Sequence, residues 1–460
     1  MMIGFILLLI AIILYITEKK KWSLLIFISF CSNGFYVLTD NVMSLKNQDA
    51  AVLYSTIIFL YSLIFERNIK YIHNIQIEII LKIFFIFLIF SVLFSIFHYN
   101  LDIIQIIQGG RRYFIVFAFF FLRKIRIKDI IWLIKLIIPI TFIASILYII
   151  QCATGIPVLP DSELYYSTDS VDNTYRYFNY PPYLLLSLFI LILHPAYISQ
   201  KSNNIYIGTM LVALLCTQTR SLITVTLTMI LVGLFLKGKV KKVIKYSMII
   251  AICMIPFTPI LIERFANEDK STSGDLESVL KGDFMNPKKG ISGTLSYRLA
   301  LVYERMNYLS ERPLGEQIFG MGLLSDQQKE LVNKMYNFQI GLINKNTGLT
   351  VQLETPDIAY GNLICRLGFI GTIIYLAIWI TMLYQSLKYR KQNSLILCLF
   401  LFLFNYVFMS FTSASISYAE KAIIPMIFIV LMSKTMLISE PQKDADNNEK
   451  CKNISNNGGL

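Results

Sequence analysis

Long apolar runs alternate with short polar connectors along almost the whole chain. Thirteen such runs are each predicted to form a helix, at residues 2–17, 22–38, 51–65, 79–97, 111–122, 130–150, 182–198, 205–219, 221–236, 246–262, 359–384, 394–411 and 421–438. The run at 111–122 is short, and its helix starts near Leu101 if the Gly109–Gly110 pair is a kink within it. A bilayer core takes about 20 apolar residues per helix. The pattern therefore predicts an all-α, polytopic integral membrane protein of about 12–14 transmembrane helices.

Two polar segments are too long to be simple connectors, and they divide the chain. Residues 1–262 are predicted to hold the first ten helices, with a polar outer loop at 151–182. One large extracytoplasmic loop follows at 263–358, then the last three helices at 359–438 and a disordered cytoplasmic tail at 439–460. Long loops between short ones commonly carry function.

Composition agrees with this pattern. Of the 460 residues, 55% are hydrophobic and only 15% are charged, whereas a soluble domain has about a quarter charged residues. The net charge of +13 does not indicate a nucleic-acid partner, because the positive residues cluster in short connectors. These clusters are Lys19 to Lys21, Arg123 to Lys128, Lys237 to Lys245 and Lys388 to Lys391. Lys and Arg are retained in the cytoplasm, so these connectors are predicted inside and both long loops outside.

Cysteine and histidine usage argues against a metal or redox site. The seven cysteines include no C-x-x-C pair, and most of them lie within apolar runs. The three histidines are scattered along the chain. We therefore expect neither a metal nor a cofactor.

The residues that break the membrane pattern are arginines at the outer ends of the predicted helices. Each alone is explained by an interfacial Arg that reaches lipid phosphate. Several together oppose the usual insertion bias, and Arg is the residue that binds phosphate through two parallel hydrogen bonds. The set comprises Arg111, Arg112, Arg176, Arg220, Arg298 and Arg305. It predicts a binding site for a phosphorylated substrate at this end of the bundle.

Arg366 lies about two turns into the helix that follows the large loop. A charge inside the membrane indicates a functional site unless an ion pair, such as one with Glu420, explains it. The acids near the same interface are Glu354 and Asp357. Asp357 is either the N-cap of that helix or a general base beside the arginines. Glu354 is the second candidate for that base.

Three segments resemble the O-antigen ligase and polymerase superfamily, and they occur in the order found in that superfamily. Thr217-Gln-Thr-Arg-Ser-Leu-Ile resembles its T-x-S-R-x segment. Ser296-Tyr-Arg298, Glu311-Arg-Pro-Leu-Gly and Phe319-Gly-Met-Gly322 are together similar to its GR … P … GxG loop segment. The stretch from Asp357 to Gly371 is similar to its HN-x-y-L … L-G-x-x-G helix. The resemblance covers roughly residues 205 to 390, and the N-terminal half matches only in hydropathy.

This resemblance implies a GT-C-like glycosyltransferase, spanning the bacterial cytoplasmic membrane many times. The family transfers glycans from undecaprenyl pyrophosphate to an acceptor hydroxyl on the periplasmic face, without a metal. It implies that Arg220 and Arg298 hold the lipid pyrophosphate, and Asp357 is our candidate for the catalytic base. Predicted substrate-binding residues are Arg305, Arg366, Arg111, Arg112, Arg176, Glu354 and Tyr360.

The ligases have His-Asn where this chain has Asp357-Ile358, and this difference favours the Wzy-type repeat-unit polymerases. Such an enzyme takes undecaprenyl-pyrophosphate-linked oligosaccharides from the membrane and can work with a chain-length regulator. Two alternatives stay open: an O-antigen ligase that transfers to lipid A–core, and a polysaccharide flippase or other transporter. The sugars, their linkage and the product class (O-antigen lipopolysaccharide or capsule) also stay open.

Overall fold

The chain folds as a bundle of α-helices with one β-hairpin. The computed structural model describes residues 3–36, 46–66, 74–159, 166–171, 174–177, 180–194, 200–255, 279–285, 294–324, 332, 338–341, 350, 353, 355 and 357–435. The first helices are α1 (Ile3–Ile16), α2 (Lys20–Cys31), α3 (Asn47–Phe65), α4 (Ile75–Tyr99), α5 (Ile103–Gly110), α6 (Phe119–Leu122), α7 (Ile127–Thr154) and α8 (Leu184–Leu193). The later ones are α9 (Gln200–Cys216), α10 (Arg220–Leu236), α11 (Val240–Met254), α12 (Thr294–Ser310), α13 (Leu314–Phe319), α14 (Ala359–Tyr389), α15 (Ser394–Met409) and α16 (423–435).

Each of the thirteen predicted apolar runs overlaps one of these helices. Among the described residues, five spans are long and apolar enough to cross a membrane: Asn47–Phe65, Gln76–Tyr99, Ile103–Leu122, Ile127–Thr154 and Ala359–Tyr389. Further apolar helices are shorter, such as Arg220–Leu236 and Ser394–Met409. The prediction of a mostly helical membrane protein with several spans is confirmed, and the count of 12–14 transmembrane helices stays a prediction.

Helix α4 shows how the apolar residues are divided between the bundle and its surroundings. Leu81, Phe84 and Leu88 are completely buried, whereas Ile83 and Ile86 on another face are about half exposed. A helix that is apolar on every side is typical of a membrane span, because exposing its outer apolar face to water would be unfavourable. We therefore assign the exposed apolar face of α4 to lipid.

The predicted polar loop at 151–182 contains a β-hairpin that the sequence analysis did not identify. Strands β1 (Tyr166–Val171) and β2 (Thr174–Tyr177) pair antiparallel, with Ser167 opposite Arg176. The Tyr148 hydroxyl of α7 donates to the backbone carbonyl of Tyr177 at 2.7 Å. This hydrogen bond fixes β2, and with it Arg176, against the end of a membrane-spanning helix.

The span at 111–122 does begin earlier, as the glycine pair indicated. Helix α5 ends at Gly110 and continues directly into a 3₁₀ helix over Arg111–Ala118, giving one apolar span over Ile103–Leu122. A Cβ atom on Gly109 would lie 2.0 Å from the Leu323 carbonyl oxygen. The glycine is therefore required for the backbone of 323–324 to cross α5.

Residues 318–321, just before the crossing at 323–324, also pass through a break in α14. Gly320 has φ/ψ of 79°/−163° and Gly368, at the break, has 65°/−172°. A Cβ atom on Gly320 would lie 2.6 Å from the Cys365 carbonyl oxygen, and one on Gly368 would lie 2.4 Å from that of Ile318. The Met321 amide donates to the Cys365 carbonyl at 2.7 Å. In an unbroken helix, that carbonyl would accept from the amide four residues later in α14. The two glycines thus form one backbone crossing that attaches the Leu314–Leu324 region to α14.

We expect Gly320→Ala and Gly368→Ala each to destabilise the protein by at least about 2 kcal/mol, since both positions combine a glycine-only conformation with a steric clash. The measurement is thermal unfolding of the purified protein in detergent. Gly208→Ala is the matched control, because a Cβ on Gly208 of α9 meets nothing within 4 Å. That change should be neutral or stabilise by about 0.5–1 kcal/mol. Equal stabilities for Gly320→Ala and Gly208→Ala would contradict the crossing.

Candidate active site

One connector contacts most of the elements that carry the predicted site residues. It spans residues 410–422 between α15 and α16, reads Ser-Phe-Thr-Ser-Ala-Ser-Ile-Ser-Tyr-Ala-Glu-Lys-Ala, and contains two 3₁₀ turns. We call it the polar connector. Its hydroxyl groups and carbonyls supply hydrogen bonds at a helix-end surface where several backbone groups lack intrahelical partners.

The polar connector holds the first turns of α14. The Ala359 amide donates to the Ser410 carbonyl at 3.1 Å, and the Ser410 hydroxyl donates to the Tyr360 hydroxyl at 3.0 Å. Farther along the helix, the Tyr375 hydroxyl donates to the Ile416 carbonyl at 2.8 Å. The predicted site residue Tyr360 is therefore fixed by the connector at the start of α14.

Asp357 is not the N-cap of α14. The N-cap position belongs to Ile358, which makes no side-chain cap hydrogen bond, and the helix begins at Ala359. The half-buried Asp357 carboxylate instead accepts a hydrogen bond of 3.4 Å from the Thr355 hydroxyl. Because the connector carbonyl of Ser410 satisfies the first helical amide, the capping interpretation of Asp357 is wrong. Its other interpretation, a general base, stays a prediction.

Helix α12 from the large loop packs on the same end of α14. Ala300 and Leu301 of α12 form a buried cluster with Ile358, and the Tyr360 ring packs against it. Tyr297 lies in this contact. Burial raises its pKa above the usual value, the Asp357 carboxylate raises it further, and Arg305 lowers it. Asp357 and Arg305 therefore act electrostatically, in opposite directions, on the Tyr297 phenol.

Arg305 is almost completely buried, with 1% of its side chain exposed. Its Nη1 donates to the Leu301 carbonyl at 3.2 Å and to the Glu304 carboxylate at 3.1 Å. The guanidinium also lies 4.6 Å from the centre of the Phe338 ring. Glu304 in turn accepts hydrogen bonds from the Gln339 and Ile340 amides, at 2.7 and 3.1 Å. Arg305 thus helps to join α12 to residues 338–340.

Arg298 is half-buried two helical turns before Arg305, and seven-residue spacing puts both on one face of α12.

Arg220 begins α10 after a tight turn at Thr217-Gln-Thr. The Thr217 hydroxyl donates to the Leu214 carbonyl at 2.7 Å and accepts from the Thr219 amide at 3.3 Å. Gln218, at the centre of this turn, has a left-handed φ of 49°. Such strained residues concentrate at functional sites. The turn leaves Arg220 half-buried at the helix end.

Ser221, the residue after Arg220, joins this turn to the polar connector. The Thr412 hydroxyl donates to the Ser221 hydroxyl at 3.4 Å, next to Arg220. The connector therefore contacts both α10, which carries Arg220, and α14, whose N-terminus follows Asp357.

Arg111 and Arg112, at the start of the 3₁₀ helix, meet the other end of the connector. Arg111 forms a 2.7 Å salt bridge with Asp49 in the first turn of α3. The Arg112 guanidinium lies 5.2 Å from the centre of the Tyr418 ring. Two residues later, Glu420 accepts a 2.6 Å hydrogen bond from Gln48. These contacts bring Arg112 to the polar connector, whereas Arg111 is neutralised by Asp49, the residue after the Gln48 that binds Glu420.

The two remaining arginines of the predicted site are Arg176 and Arg366. Arg176 lies on β2 beside α7, and Arg366 is 2% exposed, one residue after the Cys365 carbonyl of the glycine crossing. The ion pair of Arg366 with Glu420 is not found, because Glu420 contacts Gln48 instead. Glu354 lies outside the described residues.

Sequence analysis named Glu420 only as an ion-pair partner for Arg366, and it did not identify Glu316. Glu420 is buried in the connector, and among the described residues its Oε2 has no hydrogen-bond partner. Glu316 of α13 lies 3.0 Å from the His98 ring at the end of α4, so a histidine does meet the large loop. The signal for Glu420 was an acid inside a serine-rich connector between two apolar runs. No local pattern pairs His98 with Glu316, which lie 218 residues apart.

Most buried charges in the described part of the chain lie at helix ends. Lys20, Glu78 and Asp129 are in the first turns of their helices, and Glu66 follows the end of α3. Arg366, in the second turn of α14, is deeper. Within the described residues, no group of three or more His, Cys, Asp or Glu side chains could hold a metal ion.

We call the polar connector, together with Arg220, Arg298 and Asp357, the helix-end cluster. It combines half-buried arginines, a half-buried carboxylate and many hydroxyl groups. Arginines at such a boundary can bind an anion bidentately, and a carboxylate next to them can accept a proton. No protein-family model matches the chain, and no curated protein matches it at a significant level. The assignment of function therefore depends on this cluster and on the sequence segments that form it.

Proposed function

We propose that the chain is a membrane glycosyltransferase that polymerises lipid-linked oligosaccharide repeat units. The donor is an oligosaccharide on undecaprenyl pyrophosphate, and the acceptor is a hydroxyl of a second lipid-linked unit. The observation that carries this proposal is that the polar connector contacts both the Arg220 turn and the start of α14, next to Asp357, while α12 packs on the same end of α14. These elements belong to the three segments that resemble the O-antigen ligase and polymerase superfamily.

The proposed reaction needs little acid catalysis, because the anomeric carbon already carries a good leaving group. What it needs is stabilisation of the charge that develops on the departing pyrophosphate. Arg220 and Arg298 are proposed to provide it through paired N–H donors, which match phosphate oxygens. Arg112, Arg111, Arg176 and Arg366 are proposed to contact the rest of the substrate.

The second requirement is removal of one proton from the attacking hydroxyl. In the proposed step, the acceptor oxygen forms a bond to the anomeric carbon while the bond from that carbon to the phosphate oxygen breaks. The electron pair of the broken bond leaves with undecaprenyl pyrophosphate, and the Asp357 carboxylate takes the hydroxyl proton. Asp357 suits this role because helix capping does not account for its presence.

Two observations favour this activity over transport. Buried charges are mostly at helix ends, whereas a transporter needs polar sites near the middle of the membrane. In addition, α12 of the large loop packs on the end of α14, so the loop contributes side chains to the cluster. The ligase alternative differs only in its acceptor, lipid A–core, and an assay with both acceptors separates the two.

The proposal places the enzyme in the bacterial cytoplasmic membrane, with a GT-C-like architecture and the large loop outside. It requires the cluster to face the side on which the flipped donor is displayed. We expect reporter fusions at residues 242 and 325 to report opposite sides, because Lys237 to Lys245 should stay in the cytoplasm. A fusion at residue 392 should match the one at 242. The same side for 242 and 325 would contradict the proposal.

We expect Arg220→Ala and Arg298→Ala each to reduce polymerisation at least about a hundredfold, since each removes charge stabilisation from the leaving group. Lys should restore activity only in part, because it offers a point charge instead of a planar fork. The measurement is glycan length in vesicles that contain purified protein and lipid-linked repeat units.

The matched control is Arg390→Ala, at the opposite end of α14, where Arg390 donates to the Leu387 carbonyl. It should leave glycan length unchanged. Wild-type polymer from the Arg220→Ala protein would eliminate the pyrophosphate role. Arg305→Ala should act differently, lowering stability as well as activity, because it leaves Glu304 buried in part without its ion-pair partner.

We expect Asp357→Asn and Asp357→Ala both to stop chain growth while donor binding persists, since neither side chain can take the proton. General-base removal costs about 10²–10⁴-fold. Unfolding midpoints should stay close to wild type for both, because Asp357 does not cap α14. Asp102→Asn, at the N-terminus of α5, is the matched control and should remain active. An active Asp357→Asn enzyme would move the base to another acid, with Glu354 and Glu420 the next candidates.

A further inference from the structure

A cavity lies at the lysine-rich end of the bundle, between α1, α2 and α7. Its volume is about 670 Å³, within the roughly 300–1,000 Å³ of small-molecule sites. Its lining includes Lys19, Lys21, Trp22, Lys128, Asp129 and Trp132. None of these residues belongs to the candidate active site.

The cavity carries excess positive charge. It is lined by four cations and two acids, which leaves a net charge of +2. Asp129 accepts a 2.8 Å hydrogen bond from Arg126, and Glu18 lies 3.6 Å from Lys20. In the part of the chain that the structure describes, no carboxylate forms a salt bridge with Lys19, Lys21 or Lys128. Three ammonium groups are therefore available to an anion.

Two tryptophans organise one wall of the cavity. The Trp22 and Trp132 rings meet edge to face, with centroids 4.8 Å apart. The Lys21 ammonium lies 5.6 Å from the Trp22 ring centre and 5.2 Å from that of Trp132. These cation–π contacts hold Lys21 at the cavity. Tryptophan is also enriched where a membrane protein meets lipid headgroups.

The surroundings indicate an amphiphilic ligand. On α1, which contributes Leu14 to the cavity, Ile13 and Ile16 are about half exposed. A ligand with an anionic head in the cavity can therefore lay an acyl chain along α1. Basic pockets between membrane helices on the cytoplasmic side bind anionic lipid headgroups, and the lysine clusters predict that side here.

We infer that this cavity is a binding site for the phosphodiester headgroup of an anionic phospholipid, such as phosphatidylglycerol. Lys19, Lys21 and Lys128 contact the phosphate, and Trp22 and Trp132 pack against the glycerol backbone. The site is independent of the proposed glycosyltransferase activity, and its test requires no turnover.

The test uses the full-length protein in phosphatidylcholine nanodiscs that contain increasing fractions of brominated phosphatidylglycerol, whose bromine atoms quench tryptophan. Two of the three tryptophans line the cavity, and the third, Trp379, is buried in α14. We expect saturable quenching by brominated phosphatidylglycerol and only weak, linear quenching by brominated phosphatidylcholine. Equal quenching by the two lipids would overturn the inference.

The variant Lys21→Gln with Lys128→Gln should weaken phosphatidylglycerol binding roughly 30-fold, about five-fold for each lysine. Lys388→Gln with Lys391→Gln is the matched control, with the same charge change on exposed lysines outside the cavity. It should stay within about two-fold of wild type. Thermal unfolding in phosphatidylcholine checks that both variants fold. A similar loss in both variants would indicate a general charge effect and overturn the site.

A final arm separates lipid from free phosphate. Glycerol 3-phosphate is added at millimolar concentration to the nanodiscs that contain brominated phosphatidylglycerol. Unchanged lipid quenching supports a lipid site. Complete displacement by glycerol 3-phosphate would show that the acyl chains contribute nothing and would overturn the assignment to lipid.

Discussion

Polar groups inside a bilayer must find partners within the protein, because the hydrocarbon core offers none. The described bundle meets this constraint by moving buried charges to helix ends and pairing them there. Lys20 with Glu66, Arg123 with Glu78 and Arg111 with Asp49 all join the ends of different helices. Where a helix is broken inside the bundle, at Gly368, the Met321 amide takes the place of the lost helical donor. The same constraint gathers polar side chains at two surfaces, one around residues 410–422 and the other around Trp22 and Trp132.

The glycine crossing determines how the large loop is attached to the membrane helices. Met321 and Leu323 are completely buried, although they come from a segment that lies between polar stretches of sequence. Leu323 also donates its amide to the Ser95 hydroxyl of α4. Residues 319–324 therefore pack as part of the bundle. Helix α12, ten residues earlier, is held against α14 on the side that presents Asp357 and Tyr360.

The helices could be predicted from the sequence because apolar runs of about 20 residues have few other stable conformations. The earlier start of the span over Ile103–Leu122 was also predictable, because the glycine pair could lie within one helix instead of before it. The partners across the bundle were not predictable: Gly320 meets Gly368, and Gln48 meets Glu420 across 372 residues. Asp is a residue type typical of a helix N-cap, yet Ile358 occupies the N-cap position of α14. The Ser410 carbonyl accepts the hydrogen bond of the first helical amide, so no capping side chain is needed. The β-hairpin was missed because its strands are short and lie within a polar loop.

The 3₁₀ helix over Arg111–Ala118 also sets the axial distance between its two arginines and Phe119. Eight residues rise about 16 Å in a 3₁₀ helix, against about 12 Å in an α-helix. Arg111 and Arg112 therefore stand about 4 Å farther from Phe119 along the axis than a continuous α-helix would hold them. In this position they contact Asp49 at the start of α3 and the Tyr418 ring. The stretched backbone thus acts as a spacer that delivers two guanidinium groups to the end of the bundle while Phe119 and Phe121 stay fully packed.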